Sequence, residues 1–386
     1  MKIVFSFDSF KGNLSAREVC EIVRDGILSV RPDIETVILP MADGGEGTAE
    51  VMMAALSGEW IPLTVTGPLP AIKVEAGYAW LPESKTAVVE MAKASGLPLL
   101  KPEERNPMIA TTYGTGELIK AAIEKGAKKI LLTVGGSATV DGGVGAAEAL
   151  GWRFVDERGE STLAFLLRRG CGGQVGHPSI GGDLFAALKI VSPENLQLPE
   201  IDVLCDVTNP LCGPNGAAQV YGPQKGATLE RVAALEGRLV RLSEAVEEQL
   251  GKHIADVPGA GAAGGLAFGA VAFMNGRLVL GIDTVMETVG LADALRGADW
   301  VLTGEGKFDS QSLHGKVVDG VARLAKRAGA RTGVIAGCVL LGETEWRAAG
   351  IDFVTTLQPG GMSAEESIRR SRELLFEVAA AFARGL

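Results

Sequence analysis

The sequence lacks the clusters of basic residues that nucleic-acid-binding proteins use. Its 386 residues include 37 Lys and Arg against 47 Asp and Glu, which gives a net charge of −10, and there is no run of basic residues. We therefore expect neither nucleic acid nor an anionic membrane as a partner. An acidic protein that binds an anionic substrate needs Lys or Arg side chains at the binding site, so candidate sites for an anion should contain these residues.

Cysteine, histidine and long apolar runs are also scarce. The five Cys are an odd number without CxxC spacing, and there are three His. These numbers argue against a disulfide framework and against a Cys- or His-based metal site. No apolar run is long enough to cross a membrane. Met1–Phe5 leads directly into a predicted strand, so we expect a cytoplasmic protein without a signal peptide.

Glycine, by contrast, is abundant. The 52 glycines lie in loops rather than in one tract, which favours tight functional turns over disorder. With 47% hydrophobic and 22% charged residues, the composition is that of an ordinary globular protein, and the length allows two domains.

Strands and helices alternate at both ends of the chain. Residues 2–7 and 35–39 are predicted strands, and Ser15 with Glu18 forms a capping box for the helix between them. From Asp299 the same alternation returns in strands 300–303, 332–336 and 353–356, a helix at 316–327 and a last helix capped by Ser363 and Glu366.

The middle of the chain has a different pattern. Residues 61–66, 73–80 and 85–91 are predicted antiparallel strands, and the later elements are a strand at 129–134, a strand at 203–205 and helices at 115–126, 146–150 and 229–250. A further helix is predicted to begin at Asp283 or Thr284, with Glu287 completing a capping box for Thr284. Residues 160–182 are predicted to be loop-like.

The predicted fold class is therefore α/β. We expect a Rossmann-like parallel-sheet domain built from residues 1–60 and 287–386, with a second α/β domain, residues 61–286, inserted into it. Ligands of open parallel sheets bind at the carboxyl ends of the strands, so the loops at those ends are the candidate sites.

One such loop, Val134–Gly145, combines glycines and hydroxyl groups between a predicted strand and a helix start. Its backbone N–H groups could bind an anion, and Asp141 could hold a cation. Both features suit phosphoryl transfer. The alternative is an ordinary tight turn between a strand and a helix.

Other loops repeat this combination of carboxylates, small residues and cations. They contain Asp8 and Lys11; Asp43, Gly44, Gly45 and Glu46; Asp206 and Asn209, with Lys225 downstream; Glu305, Lys307 and Asp309; and His314 and Lys316. Taken singly, an Asp at the end of a strand is more often a helix cap than a ligand. His314 taken alone is more often a hydrogen-bonded structural residue than a base.

Of two common nucleotide-binding motifs, the sequence lacks the P-loop and has only a weak match to the dinucleotide-binding motif. No Gly-Lys pair has the context of a P-loop. Gly259–Gly264 matches GxGxxG, with Asp283 about twenty residues later, but Pro258 and a short, interrupted segment precede it instead of a strand. The favoured interpretation of this match is thus a close-packed helix start. A dinucleotide-binding loop of an NAD-dependent dehydrogenase is the weaker interpretation. A non-catalytic sugar-acid sensor is a second alternative.

Taken together, the loops resemble those of the bacterial glycerate kinases of the first class. The matching segments follow the family order over nearly the whole chain: 8–12, 42–48, 114–119, 135–139, 205–211, 222–226, 258–265, 303–312 and 314–316. One departure is Val140, where the family usually has Asn beside the aspartate. The poor fit of residues 160–182 is another.

The resemblance implies ATP-dependent phosphorylation of D-glycerate with Mg²⁺, on the 2-hydroxyl, in a cleft between the two domains. Phosphorylation at the 3-position, or of a related small hydroxy acid, is the alternative. D-glycerate and ATP are then the partners, and a homodimer is a possibility that the sequence leaves open.

The roles of individual residues are our hypotheses. Asp206 or Glu305 is the expected Mg²⁺ ligand, with Asp141 and Asp309 as further candidates. Asp8 is the leading base candidate. Lys11 and Lys225 would meet the substrate carboxylate or the transferred phosphoryl group. The remaining candidates for binding substrate or phosphate are Asp43, Gly44, Gly45, Glu46, Gly135, Gly136, Ser137, Asn209, Lys307, His314 and Lys316.

Overall fold

The computed structural model describes residues 1–155, 189–358 and 360–386. The predicted α/β class is confirmed. The segment predicted to be loop-like, residues 160–182, lies outside the described residues.

The secondary structure of the described residues is as follows. The strands are β1 (Lys2–Phe5), β2 (Glu35–Ile38), β3 (Glu59–Thr66), β4 (Lys73–Leu81), β5 (Thr86–Glu90), β6 (Lys129–Thr133), β7 (Arg153–Val155), β8 (Lys189–Val191), β9 (Glu200–Leu204), β10 (Arg277–Val279), β11 (Trp300–Thr303), β12 (Lys307–Phe308), β13 (Arg331–Ala336), β14 (Cys338–Val339) and β15 (Phe353–Thr356). The helices are α1 (Ala16–Val30), α2 (Thr48–Ala55), α3 (Ala92–Ser95), α4 (Tyr113–Glu124), α5 (Val144–Ala149), α6 (Ala217–Tyr221), α7 (Leu229–Leu250), α8 (Ala262–Met274), α9 (Gly281–Thr288), α10 (Leu291–Ala294), α11 (Val317–Ala328), α12 (Glu343–Ala348), α13 (Ala364–Arg369) and α14 (Ser371–Arg384).

The chain divides into two compact units. The first unit comprises Met1–Leu56 and Leu280–Leu386, and the second comprises Ser57–Val279. The sequence pattern predicts domain boundaries near residues 60 and 287. In the structure the second division falls before α9, which packs against α2 of the first unit.

The first unit is built on a parallel sheet with the strand order β15-β13-β11-β1-β2. Strand β1 lies between β11 and β2, so the loops that follow these three strands leave neighbouring positions at one edge of the sheet. Buried Ile3, Phe5 and Leu302 on the strands pack against Val23 and Ile27 of α1. This packing fixes the ends of the strands from which the candidate loops project.

The second unit contains a mixed sheet with the order β10-β9-β6-β5-β4-β3. Strands β3, β4 and β5 are joined in antiparallel fashion, as predicted. Strands β5, β6, β9 and β10 run parallel to one another. The loops after β6 and β9, which carry Ser137 and Asp206, therefore leave adjacent strands at their carboxyl ends.

Local sequence signals predicted some helix ends and missed others. The capping box of α1 is confirmed: the Glu18 N–H donates to Ser15 Oγ, and the Ser15 N–H donates to the Glu18 carboxylate at 2.9 Å. The predicted bounds of the helix at 229–250 are also confirmed.

Two of the predicted helix ends are wrong. Helix α9 begins at Gly281 rather than at Asp283 or Thr284, and Thr284 lies within it and donates to the Leu280 carbonyl oxygen. A side chain at Gly281 would meet the Asp43 carbonyl oxygen at 2.1 Å, so tertiary packing sets this helix start. The single last helix predicted from Ser363 is in fact two helices, α13 and α14, which are separated at Arg370.

Candidate functional site

Three neighbouring strands of the first unit place acidic side chains in one cluster. Asp8 follows β1, Asp43 follows β2 and Glu305 follows β11. The pairing of β1 with β11 continues past the strand ends, because the Asp8 N–H donates to the Gly304 carbonyl oxygen at 3.0 Å. Lys11 lies in the same loop as Asp8, and its Nζ is 3.9 Å from Asp43 Oδ2. We call Asp8, Lys11, Asp43 and Glu305 the acidic cluster.

Asp8 is the most perturbed member of the acidic cluster. Its side chain is buried, with 5% of the residue exposed. Burial and the neighbouring Asp43 carboxylate raise the pKa of Asp8 to about 7, against the opposing effects of Lys11 and a hydrogen bond from the Ser9 N–H. A carboxyl group with this pKa can accept and release a proton near neutral pH.

The Asp43 turn is held by local hydrogen bonds and by a close approach of α9. Asp43 Oδ1 accepts a hydrogen bond from the Gly45 N–H at 3.0 Å, and the Thr48 hydroxyl donates to the Gly45 carbonyl oxygen. Gly44 has a φ of +92°, a backbone conformation that favours glycine. Asp43 and Glu46 thus project from a turn with a defined shape, and Glu46 lines a small pocket together with Asp8.

Glu305 and Lys316 add opposite charges to the same neighbourhood. Burial raises the pKa of Glu305 more than Ser312 and Lys316 lower it. Glu305 Oε1 is buried and has no hydrogen-bond partner in the described residues. The pKa of Lys11 is also raised, because the negative charge of Asp43 stabilises the charged form of the lysine. The first unit thus brings together Asp8, Lys11, Asp43, Glu305 and Lys316.

The remaining candidates of the first unit already have protein partners. Lys307 Nζ pairs with Asp309 at 2.9 Å, and this contact lowers the pKa of Asp309 and raises that of Lys307. Asp309 also caps the short 3-10 helix Ser310–Leu313. The exposed His314 ring donates from Nδ1 to the Ser310 carbonyl oxygen at 2.6 Å. These contacts support structural roles for Asp309 and His314, and their predicted site roles stay predictions.

In the second unit, the loop Val134–Gly143 carries the predicted phosphate-binding turn. The Ala138 N–H donates to the Ser95 carbonyl oxygen, and the Leu97 N–H donates to the Gly136 carbonyl oxygen, so one side of the loop is fixed. Gly135 and Gly136 are exposed. Their backbone N–H groups have no acceptor within the parts of the chain that the structure describes. We call Val134–Gly143 the Ser137 loop.

The buried side chain of Lys225 holds the Ser137 loop through two hydrogen bonds. Its Nζ donates to Ser137 Oγ at 2.7 Å and to the Thr139 carbonyl oxygen at 2.8 Å. Only 2% of Lys225 is exposed, and burial lowers its pKa to about 7 in spite of the nearby Asp141. The sequence motif predicts that Lys225 contacts the substrate or the transferred phosphoryl group. The structure instead gives its ammonium group two protein partners.

Asp141 is likewise enclosed by protein donors. Its carboxylate accepts hydrogen bonds from the Thr112 N–H and hydroxyl, both at 2.8 Å, and from the N–H groups of Gly143 and Gly145. Burial raises its pKa against these hydrogen bonds. This set of donors fits a brace between the Ser137 loop and the start of α4 better than a metal ligand. The sequence analysis did not single out Thr112, because its partner lies 29 residues further along the chain.

The loop after β9 contains Asp206 and Asn209. Asn209 Nδ2 donates to the Asn215 carbonyl oxygen, and its Oδ1 accepts a hydrogen bond from the Tyr221 hydroxyl at 2.7 Å. The Tyr221 ring lies 6.0 Å from Lys225 Nζ. Asn209 therefore helps to fix the segment that carries Lys225, a contribution that its sequence motif did not reveal.

The GxGxxG match is a packing motif. A side chain on Gly261 would meet the Pro210 carbonyl oxygen at 2.2 Å, and one on Gly264 would meet the Thr139 carbonyl oxygen at 1.9 Å. Ala263, Gly264 and Gly265 have positive φ where α8 begins, and all three are buried. The interpretation as a close-packed helix start is confirmed, because protein backbone fills the space that a dinucleotide would need.

The described residues contain neither a ready-made metal-binding group nor a helix that could span a membrane. Across residues 1–155, 189–358 and 360–386, no three His, Cys, Asp or Glu side chains come together as a metal-binding group. Mg²⁺ usually needs only one or two carboxylates beside water and substrate phosphates. The helices in the described part of the chain are too short or too polar to cross a membrane.

The fold and these loops define a two-unit α/β protein with polar sites at the carboxyl ends of its parallel strands. A family model described as the glycerate kinase family matches residues 3–386. The chain is 41% identical to the glycerate kinase of Halalkalibacterium halodurans over 98% of this chain and 96% of that protein. It is 42% identical to the glycerate 2-kinase of Escherichia coli over 85% of this chain and 82% of that protein.

A solved structure gives the same result. The crystal structure of a protein assigned as glycerate kinase 2 from Salmonella typhimurium LT2 matches with a TM-score of 0.84 and 38% identity, covering 100% of this chain and 98% of that chain. The chain belongs to the glycerate kinase family. The expected resemblance is thus confirmed, and the dehydrogenase and sensor alternatives are set aside because the family is one of kinases.

Proposed function

We propose that the protein transfers the γ-phosphoryl group of ATP to the 2-hydroxyl of D-glycerate. Membership of the glycerate kinase family supports the substrate and ATP, and similarity to the E. coli glycerate 2-kinase supports the position. Glycerate 3-kinase activity, or phosphorylation of a related small hydroxy acid, is the alternative. The observation that carries the mechanism is the buried Asp8 carboxyl group, whose pKa is raised to about 7 within the acidic cluster.

Asp8 is suited to accept the proton of the attacking hydroxyl. A general base works best when its pKa lies near the working pH, since it is then largely ionised and still basic. Lys11 offers a positive charge at the same edge of the sheet, with 66% of its side chain exposed. We propose that Lys11 meets the substrate carboxylate or the transferred phosphoryl group. Asp43 and Glu46 would bind the substrate or order water.

The Ser137 loop is suited to hold phosphate. The exposed Gly135 and Gly136 present backbone N–H groups without intervening side chains, and such groups bind phosphate oxygens well. Lys225 would act as a positioning residue, because its ammonium group fixes Ser137 and Thr139 rather than facing solvent. Its positive charge would still contribute to the potential at the loop.

The donor set of the acidic cluster fits Mg²⁺. Carboxylate oxygens are the ligands that this ion prefers, and Glu305 Oε1 is a buried oxygen without a partner in the described residues. We propose Glu305 or Asp206 as the carboxylate that would hold the ion. When bound, Mg²⁺ would neutralise charge on the β- and γ-phosphate oxygens. Asp141 and Asp309 are weaker candidates, because protein donors already occupy them.

Other expectations stay predictions. They are a binding cleft between the two domains, a cytoplasmic location and a homodimer.

The test couples purified protein, D-glycerate and MgATP to enolase alone, without a mutase, and follows the absorbance of phosphoenolpyruvate. A signal that needs both substrates supports the 2-kinase proposal, since enolase does not use the 3-phosphate. Glycerate-dependent ADP release without phosphoenolpyruvate would move the phosphate to the 3-position. If neither signal appears, while a known glycerate 2-kinase works in the same mixture, the proposed substrate is wrong.

A further inference from the structure

Arg105 lies beside the turn that carries Lys225, and it was not among the predicted site residues. It follows the short 3-10 helix Pro102–Glu104 in the segment that leads to α4. A side chain on Gly226 would meet the Arg105 carbonyl oxygen at 2.7 Å, and Gly226 has a φ of +92°. The backbones of Arg105 and of the Lys225–Gly226 turn therefore touch without a side chain between them.

The segment that carries Arg105 is held at several points. The Met108 N–H donates to Asn106 Oδ1, and the Met108 carbonyl oxygen accepts a hydrogen bond from Arg238 Nη1 at 3.0 Å. Further along, the Thr111 N–H donates to the Pro68 carbonyl oxygen at 2.9 Å, and Thr112 holds Asp141. Arg105 thus projects from a fixed backbone that is tied to the Ser137 loop through Thr112 and Asp141.

The guanidinium group of Arg105 lacks a partner in the part of the chain that the structure describes. Its Nε is buried and makes no hydrogen bond, and no carboxylate among the described residues lies within 4.0 Å of it. An unpaired buried donor costs free energy that an exposed one does not. Among the described residues, no hydrogen bond or ion pair therefore accounts for an arginine at this position.

Other arginines in the protein show the usual arrangement. Arg31 binds both oxygens of Asp33 at 2.8 Å, and Arg370 binds both oxygens of Glu373. Arg238, which is partly buried like Arg105, donates to a carbonyl oxygen. Arg105 differs because it lies on a fixed segment and its guanidinium group has no acceptor among the residues that the structure describes.

We propose that Arg105 binds an oxyanion of a substrate, either the carboxylate of the hydroxy acid or a phosphate of the nucleotide. The planar guanidinium group can donate two parallel hydrogen bonds to either anion. The proposal rests on the proposed function, because a kinase of a hydroxy acid handles both kinds of anion. It adds a binding residue next to the Lys225 turn that supports the Ser137 loop.

The test compares Arg105→Gln and Arg105→Lys with the wild type, and uses Arg241→Gln as the matched control. Arg241 is an exposed arginine on α7 of the same unit. Binding of ADP and of D-glycerate is measured separately by calorimetry, together with kcat/KM for each substrate and the Tm of the ligand-free proteins. We expect Arg105→Gln to lower the affinity for one of the two ligands about 10- to 100-fold, the range for hydrogen bonds to charged groups.

Arg105→Lys should recover only part of this loss, because lysine keeps the charge without the planar pair of donors. The ligand-free Tm of Arg105→Gln should equal or exceed that of the wild type, because the substitution removes the buried Nε donor of Arg105. Arg241→Gln should behave like the wild type throughout.

The result distinguishes the two anions. Weaker binding of glycerate alone assigns the carboxylate, and weaker binding of ADP alone assigns a phosphate; each supports the proposal. Affinities for both ligands within twofold of wild type would overturn it. So would a lower ligand-free Tm with equal losses for both ligands, because that pattern indicates a structural role. If the wild type does not phosphorylate glycerate, the proposed function fails, and the ADP titrations still decide whether Arg105 binds an oxyanion.

Discussion

Asp8→Asn should make the protein more stable at high pH while nearly abolishing its activity. The asparagine keeps an oxygen that can accept the Ser9 N–H, which the Asp8 carboxylate now binds. It removes the negative charge that burial and Asp43 oppose. The substitution therefore separates the electrostatic cost of this carboxylate from its packing.

The magnitude follows from the pKa of Asp8. It rises from its ordinary value of 3.8 to about 7 in the folded protein, which corresponds to about 4 kcal/mol at most. Between these two values the folded state binds more protons than the unfolded state. The free energy of unfolding of the wild type should therefore fall as the pH rises through this window, and remain low above about pH 7. Asp8→Asn should lack this fall, so its advantage should be largest at high pH and vanish in acid.

The rate should change in the opposite direction. Loss of a general base costs about 100- to 10,000-fold. For the wild type, kcat/KM for glycerate should rise with pH through the pKa of the acidic cluster, near 7 for Asp8, and this limb should be absent in the mutant. The assays are denaturant titrations from pH 4 to 9 and the enolase-coupled rate over the same range.

Asp33→Asn is the matched control. Asp33 is an exposed carboxylate of the same unit whose pKa is lowered to about 2 by its hydrogen bond with Arg31. Its replacement should leave the rate and its pH profile unchanged. A rate of Asp8→Asn within threefold of wild type would exclude Asp8 as the general base. A lower stability than wild type at high pH would refute the electrostatic part.

Three further predictions concern the second unit. Lys225→Met should lower kcat/KM at least tenfold through loss of order in the Ser137 loop. Burial lowers the pKa of Lys225 to about 7, so the wild type should gain stability between that pH and the ordinary pKa of lysine, 10.5, and the mutant should not, as denaturant titrations at both ends would show. Gly264→Ala should cost about 2–4 kcal/mol in such a titration, because its φ is +66° and the added carbon would lie 1.9 Å from the Thr139 carbonyl oxygen; Gly237→Ala on α7, where nothing lies within 4 Å, should instead stabilise by about 0.5–1 kcal/mol. Asp206→Asn should reduce the rate at least a hundredfold while the circular dichroism spectrum is retained, and near-normal turnover at all Mg²⁺ concentrations would remove Asp206 from the metal site.

The features that the sequence predicted well depend on residues close together in the chain. Ser15 and Glu18 are three positions apart, and the reciprocal hydrogen bonds that they form are decided within one helical turn. The apolar stripe of α7 and the glycine after it likewise fixed both ends of that helix. Such signals remain valid in any tertiary context that keeps the helix.

The features that the sequence missed depend on distant residues. Lys225 was expected to face the substrate, but its partner Ser137 lies 88 positions away, and only the packed structure shows that the two meet. The start of α9 was misplaced because Gly281 packs against the Asp43 turn, which no capping rule includes. Likewise, the glycines of the GxGxxG match could serve either a ligand or close packing, and their neighbours decided for packing.

The direction of the pKa shift distinguishes the paired carboxylate of Asp202 from that of Asp8. Burial alone would raise the pKa of Asp202, but hydrogen bonds from Lys129 and Arg277 outweigh it, and the pKa is lowered. Protein partners thus stabilise the ionised form of Asp202, as expected of a structural ion pair on a sheet. In the acidic cluster, burial and Asp43 outweigh Lys11, so the pKa of Asp8 is raised to about 7.

Such an arrangement is costly for the folded protein by itself, and a bound cation or a substrate proton would relieve it. For this reason we propose Asp8, rather than any of the paired carboxylates, as the group that takes part in proton transfer. If ligands relieve the cost, saturating MgADP with glycerate should stabilise the wild type more at pH 9 than it stabilises Asp8→Asn. Equal stabilisation of the two proteins would mean that the charge on Asp8 is not what the ligands compensate.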